Sequence, residues 1–341
     1  MHCNQHMVQC CPSKHLDAHC DRCTCDFCLQ SLDFWAHIIH TPQILLHGNE
    51  DPFGDWVAHV SEFLVQTSRQ EAGLSSFDTD LIRLFQFFDV INSIARSKNP
   101  GCPDFCAAIL EKENRVTTNA ELSAPLLLNR DADYILSAMW NWAVLQKRMH
   151  EWVANVTVDS GGNLDPGQEV TGMEIVCTAS SLQAKMLQLY MDHCHDDERD
   201  TSIAQVLTSF SYWTLIGISQ QLRHPNWQLL QCDLPVMTDD WLRRYAVIAI
   251  NSLEVMIDQA GLCVAVLLPA VFTMGSEMAS PEERGLVIRL LGKRQALCPV
   301  LTEHFQIALI MEWELGIRQG TGVCYREVLR ALEGHPDHVT V

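Results

Sequence analysis

Apolar residues recur along most of this chain at spacings of three and four, the signature of helices that each bury one face. Leu81, Leu84, Phe85, Phe88, Ile91 and Ile94 form the first such stripe, with Asp78 or Asp80 in position to cap it. A second runs through Ile135, Met139, Trp142, Leu145, Met149, Trp152 and Val153, and a loop from Asp159-Ser160-Gly161-Gly162 to Gly172 separates it from the next. That next stripe holds Ile175, Ala179, Leu182, Met186, Leu189 and Tyr190, and stops where His193 to Asp200 turns polar. Further helices are predicted over Ile203 to Leu222, Trp241 to Ala260, Val300 to Leu315 and Val323 to Leu332. Leu262 to Met278 is apolar on all sides, which predicts a helix at the centre of the array, kinked at Pro269. The best-marked helix start is Ser280, followed by Pro281 at the first helical position and Glu283 at the reciprocal capping position. Strands and fixed-period repeats are hard to find, so the expected fold is all-α, a large multi-helix array or bundle.

Outside that array the pattern changes. Residues 1–30 hold seven of the fifteen cysteines together with His2, His6, His15 and His19, and few large aliphatics, which reads as a tail without fixed structure. Residues 31–75, broken by Pro42, Gly48, Pro52, Gly54 and Gly73, read as a linker with short helices. The helical domain is expected over 76–334, with 335–341 a second tail.

Composition changes the picture in three ways. With 48% apolar and 19% charged residues, 341 residues can bury a continuous core. The 42 acidic against 23 basic residues give a net charge of −19, which repels nucleic-acid phosphates and disfavours direct DNA binding, though it also serves solubility. Met1 to Cys28 lacks the basic-then-apolar pattern of a signal peptide, so a reducing compartment is expected, and no apolar run reaches the roughly twenty residues a membrane span needs.

Candidate chemistry is sparse. Cys20, Cys23, Cys25 and Cys28 form two Cys-x2-Cys pairs, the usual zinc-ligand spacing, but a single residue between the pairs leaves little room for tetrahedral closure. Opportunistic metal binding aided by His15 or His19 and a leader with free thiols are the two readings, and no metal site is assigned. Asp192 to Glu198 has ligand types in sequence but at a helix end, where neighbours point apart. Asp159-Ser160-Gly161-Gly162 suggests a serine-protease nucleophile, yet Val158 stands where that motif has glycine, and the surroundings are helical. No Gly-x-Ser-x-Gly, phosphate-cradling loop or His-Glu-x-x-His occurs. Tryptophans 140, 142, 152, 213, 241 and 313 could line a ligand pocket, but their place on or near apolar stripes assigns them to the core. No catalytic residue and no cofactor are expected.

Two stretches resemble the fungal-specific transcription-factor domain that follows a binuclear zinc cluster. Leu81 to Arg96 reads Leu-Ile-Arg-Leu-Phe-Gln-Phe-Phe-Asp-Val-Ile-Asn-Ser-Ile-Ala-Arg, similar to the family helix in which an aromatic run precedes Asp-Val. Leu267 to Arg284 resembles the family's apolar run followed by Gly-x-Glu-Ala and Asp/Ser-Pro-Glu-Glu/Asp-Arg. Phe305 to Leu332, with Glu312-Trp313 and Tyr325 to Leu329, is in keeping with it. The resemblance implies a non-enzymatic nuclear regulator of transcription that contacts other regulators and, as a further expectation, a small-molecule effector. It is similar to regulators of trichothecene-type secondary-metabolite pathways. The family's zinc cluster has two Cys-x2-Cys-x6-Cys halves with basic residues between. Here the cysteines are crowded and only Lys14 and Arg22 lie among them, so sequence-specific DNA binding does not carry over, and DNA is expected to be reached only indirectly or through a zinc cluster not present here. The alternative from another class is a helical ligand-binding or scaffold protein with no role on DNA.

Overall fold

A computed structural model describes residues 76–116, 124–158, 164–194, 201–260, 264–293 and 299–315. The chain divides into Met1–Val60 and Ser61–Val341, and every described residue lies in the second unit. The tail at 1–30, the linker at 31–75, the predicted helix at Val323 to Leu332 and the end at 335–341 fall outside the described residues.

Among the described residues the fold is all-α. The helices are α1 (Ser76–Arg96), α2 (Phe105–Val116), α3 (Ala124–Asn155), α4 (Pro166–Cys194) and α5 (Thr201–Leu222). After a 3-10 helix at Pro225–Leu230 follow α6 (Asp239–Ala260), α7 (Val264–Gly275), α8 (Pro281–Gly292) and α9 (Pro299–Leu315). The one β-type pairing described is an isolated bridge between Val158 and Leu164. No helix among the described residues is long and apolar enough to cross a membrane.

Helix α5 is the most enclosed element. Every residue from Ser209 to Ser219 is buried, and α5 packs against α3, α4, α6 and α7. Its hydroxyl residues survive there because they return their hydrogen bonds to their own helix: Ser209 Oγ donates to the Gln205 carbonyl at 2.9 Å and Thr214 Oγ1 to the Phe210 carbonyl at 3.0 Å. Gly217 permits the close crossing with α3, since a Cβ there would lie 2.9 Å from Cζ2 of Trp142. Helix α7, expected at the centre, packs on α1, α5, α6, α8 and α9 and carries Pro269 inside it. It is shorter than the apolar run, because the chain turns at Ser276 and Glu277 before α8.

Three local expectations are corrected. Helix α1 starts at Ser76, so Asp78 and Asp80 lie within it and do not cap it. Its buried face keeps Phe85, Ile91 and Ile94 of the expected stripe and adds Ile82, Gln86, Asp89, Val90 and Ser93, while Leu84 is 40% exposed; Gln86 and Asp89 are drawn inward by partners between Gly101 and Cys106. The loop expected to reach Gly172 ends at Asp165, whose Oδ1 accepts from the amides of Gly167 (2.9 Å) and Gln168 (3.3 Å) ahead of Pro166 at the first helical position. Gly172 is therefore buried inside α4. Helix α2 is an addition to the predicted elements: Cys106 and Leu110, four apart, are buried, and Asp104 caps it from just outside.

At the end of α1, Ser97 adopts a left-handed conformation (φ 51°). Its amide donates to Ile94 and the Lys98 amide donates to Ser93 at 3.0 Å, the pair of bonds that closes a Schellman motif.

Candidate functional site

Two polar nodes are built into the helical core, one around Leu81–Arg96 and one around Leu267–Arg284. The first joins α1, α2 and α3. Asp89 accepts from the amides of Gly101 (3.1 Å) and Cys102 (3.0 Å) and from the Cys102 thiol (2.9 Å). Asp104 caps α2 through the Ala107 amide (3.0 Å) and also accepts from Gln86 Nε2 (2.9 Å) and Ser137 Oγ (2.7 Å). Gln86 Oε1 accepts from the Cys106 amide at 3.0 Å. Arg83 donates through Nε and Nη2 to the two oxygens of Asp133, both at 2.7 Å, and the Asp133 side chain is fully buried. Trp140 Nε1 donates to the Cys102 carbonyl at 2.9 Å. The effect is to fasten the segment between α1 and α2 onto both helices with charge-assisted bonds, which are stronger than neutral ones.

Electrostatics decide what this node can do. Burial pushes the Asp89 carboxyl above its ordinary range, against the opposing pull of the three bonds it accepts. Burial, then the charge of Asp89, holds the Cys102 thiol far above its usual value; burial, then Asp133, does the same to Cys106. Both thiols stay protonated at any physiological pH and act as donors, since nucleophilic or metal-binding chemistry needs the thiolate.

The second node is the α7–α8 connection. Gly275 lets α7 approach α8 and α9: a Cβ there would meet Val287 at 3.1 Å and Leu309 at 3.2 Å. Its carbonyl accepts from Trp313 Nε1 at 3.0 Å. Glu277 Oε1 accepts from Gln220 Nε2 (2.7 Å) and pairs with Arg223 (3.5 Å), which also pairs with Asp239. The capping box at Ser280 forms as expected: its Oγ accepts from the Glu283 amide (3.3 Å), and Glu283 Oε2 accepts from the amides of Ser280 (3.0 Å) and Ala279 (3.1 Å). Desolvation raises the Glu283 carboxyl, but the Ser280 amide, the Arg243 guanidinium and the Ala279 amide together outweigh it, and its pKa lies below the ordinary value. Arg284 donates to the Met278 carbonyl (3.1 Å) and lies 5.3 Å over the Trp313 ring. Glu312 stands apart in this node. Its Oε2 is buried with no hydrogen-bond partner among the described residues. Burial first, and the neighbouring Glu277 charge second, raise its carboxyl to about 7. Its proton is therefore exchangeable near neutrality.

The residues singled out from sequence fare unevenly. Cys20, Cys23, Cys25 and Cys28 lie outside the described residues, as do His195 to Asp200 and Asp159 to Asn163. Asp192, His193 and Cys194 occupy the last turn of α4. Among the described residues no group of three or more His, Cys, Asp or Glu is arranged to hold a metal ion. Trp142, Trp152 and Trp213 are buried in the core, and Trp140 and Trp313 pack against it with their indole N–H groups bonded to backbone. Trp241 is the exception, 50% exposed with Arg244 stacked 5.7 Å over its ring. Sequence reasoning overlooked Gln86, Asp89, Asp104 and Asp133. The only local signal was polar residues interrupting an apolar stripe.

Compared with known proteins, the chain matches no family model, no curated protein and no solved structure.

Proposed function

We propose that this chain is a transcription regulator, acting in the nucleus through protein partners on a fungal secondary-metabolite gene set. The observation that carries the reading is the contact between its two family-like stretches. Helix α1, with the aromatic-Asp-Val pattern, packs on α7, which leads into the Gly-x-Glu and Ser-Pro-Glu-Glu-Arg segment. Gly275, Glu277, Ser280, Glu283 and Arg284 each have a defined partner or close approach there, so the pattern that carries the resemblance is also the one that organises one end of the array. The net charge of −19 supports contact with proteins over contact with DNA. The reading assigns no catalytic residue and no cofactor.

A helical scaffold with no place on DNA competes with this reading and draws on the same charge. Tethering the full chain to a heterologous DNA-binding domain upstream of a reporter separates them. A regulator changes reporter output when tethered, whereas a scaffold unrelated to transcription leaves it at the level of the DNA-binding domain alone.

A further inference from the structure

Helix α4 has two apolar faces, and among the described residues the second is covered only in part, at Leu187, which packs against the core. Ile175, Val176, Ala179, Leu182 and Met186 are buried against the core. A second stripe follows the strict alternation of three and four: Val170, Met173, Cys177, Ser180, Ala184, Leu187 and Met191. Val170 is 60% exposed, Met173 38% and Met191 52%. Cys177, Ser180 and Ala184 are also exposed, and Leu187 is half-buried. Such a repeat, sustained over about three heptads, is the seam of a two-helix contact.

We propose that α4 is an interface between two copies of this chain, paired antiparallel along this seam. The inference is independent of the functional reading. Three features favour a second copy. First, the two ends of the stripe and its two inner positions map onto one another. With a two-fold axis beside Ser180 and Ser181, Val170 of one copy meets Met191 of the other and Cys177 meets Ala184, the self-complementarity that an isologous contact requires. Second, the small residues lie in the middle and the large ones at the ends, so the helices approach closely at the axis and interlock away from it. Third, the charges match. Glu174, which also pairs with Arg148 of its own chain at 3.6 Å, and Lys185 lie about three turns apart on one flank of the seam. Antiparallel pairing brings like flanks together and sets Glu174 of each copy alongside Lys185 of the other. Parallel pairing would turn that flank towards Val176 and Gln183, which are buried in the body of the domain.

The test uses the full chain under reducing conditions. Sedimentation equilibrium at micromolar concentration is expected to give twice the 38.5 kDa chain mass. Met173→Glu with Met191→Glu is expected to give a monomer with unchanged helicity, because both side chains are exposed. Lys185→Glu is expected to weaken association about tenfold, and Glu174→Lys in the same chain to restore it. Labelling of Cys177 by N-ethylmaleimide, read at the peptide level, is expected to slow as concentration rises through the dimerisation range. A monomer at all concentrations would overturn the proposal, as would a dimer indifferent to the paired glutamates. Failure of Glu174→Lys to rescue Lys185→Glu would overturn the antiparallel arrangement. Protection of Cys177 that does not vary with concentration would assign the seam to another segment of the same chain.

Discussion

Trp152 and Trp227 stack face to face, with ring centroids 4.2 Å apart and planes 12° from parallel, and Gly172 of α4 closes over that pair. Each indole is anchored, Trp152 Nε1 to the Gln168 carbonyl at 2.8 Å and Trp227 Nε1 to the Gln221 carbonyl at 3.0 Å, so neither ring can easily retreat. A Cβ at position 172 would lie 2.8 Å from Leu230 Cδ2 and 2.9 Å from the Trp152 ring.

Gly172→Ala is therefore expected to destabilise the fold by about 1–3 kcal/mol, although alanine is the better helix former. Gly285→Ala on α8 is expected to do the reverse and stabilise by about 1 kcal/mol, because its nearest neighbour would be the flexible end of Arg289 at 3.8 Å. Urea denaturation of the two variants checks both signs.

Asp89→Ala removes the acceptor of the buried Cys102 amide and thiol and frees the segment between α1 and α2. The expected loss is about 2–3 kcal/mol, since a buried donor is left unsatisfied. Ser93→Ala deletes only a hydroxyl bonded to the Asp89 carbonyl of its own helix, and is expected to cost about 1 kcal/mol or less. Chemical denaturation of both variants distinguishes the anchoring role of Asp89 from a general sensitivity of α1.

Glu312 predicts a pH dependence of defined sign. Its carboxyl is raised from an ordinary 4.5 to about 7, so the folded chain holds this proton more tightly than the unfolded chain. Stability from this group is complete below 4.5 and is lost as pH rises through about 7, by on the order of 3 kcal/mol. Glu312→Gln, neutral at every pH, is expected to flatten the profile between about pH 5 and pH 8 and to be the more stable form at the upper end. Glu283 acts in the opposite sense at lower pH: its lowered pKa gives stability that is present above 4.5 and lost as pH falls through its folded value. Thermal melts across the range separate the two.

What the sequence made legible was local. The capping box at Ser280 uses residues three positions apart, and the stripe of α3 repeats within one helix, so both could be read directly. The buried face of α1 could not, because Gln86 and Asp89 are drawn inward by Asp104 and Cys102, partners beyond the helix end. The start of α4 is hidden for a different reason: the glycines at 161 and 162 mark a turn, and Asp165 and Pro166 follow only three residues later. The second stripe of α4 was masked by the first, since seven of its positions alternate with those that build the core. For the candidate site, the cysteines at 20–28 have a ligand-type spacing, whereas the described thiols buried in the core are Cys102 and Cys106, which no spacing rule marks out.

Chromatin immunoprecipitation of the tagged full chain, paired with transcript profiling of its deletion, tests the proposed role in transcription most directly. Occupancy at the promoters of a coordinated biosynthetic gene set, with changed transcripts on deletion, is the predicted result. Absence from promoters together with an unchanged transcript profile would contradict it.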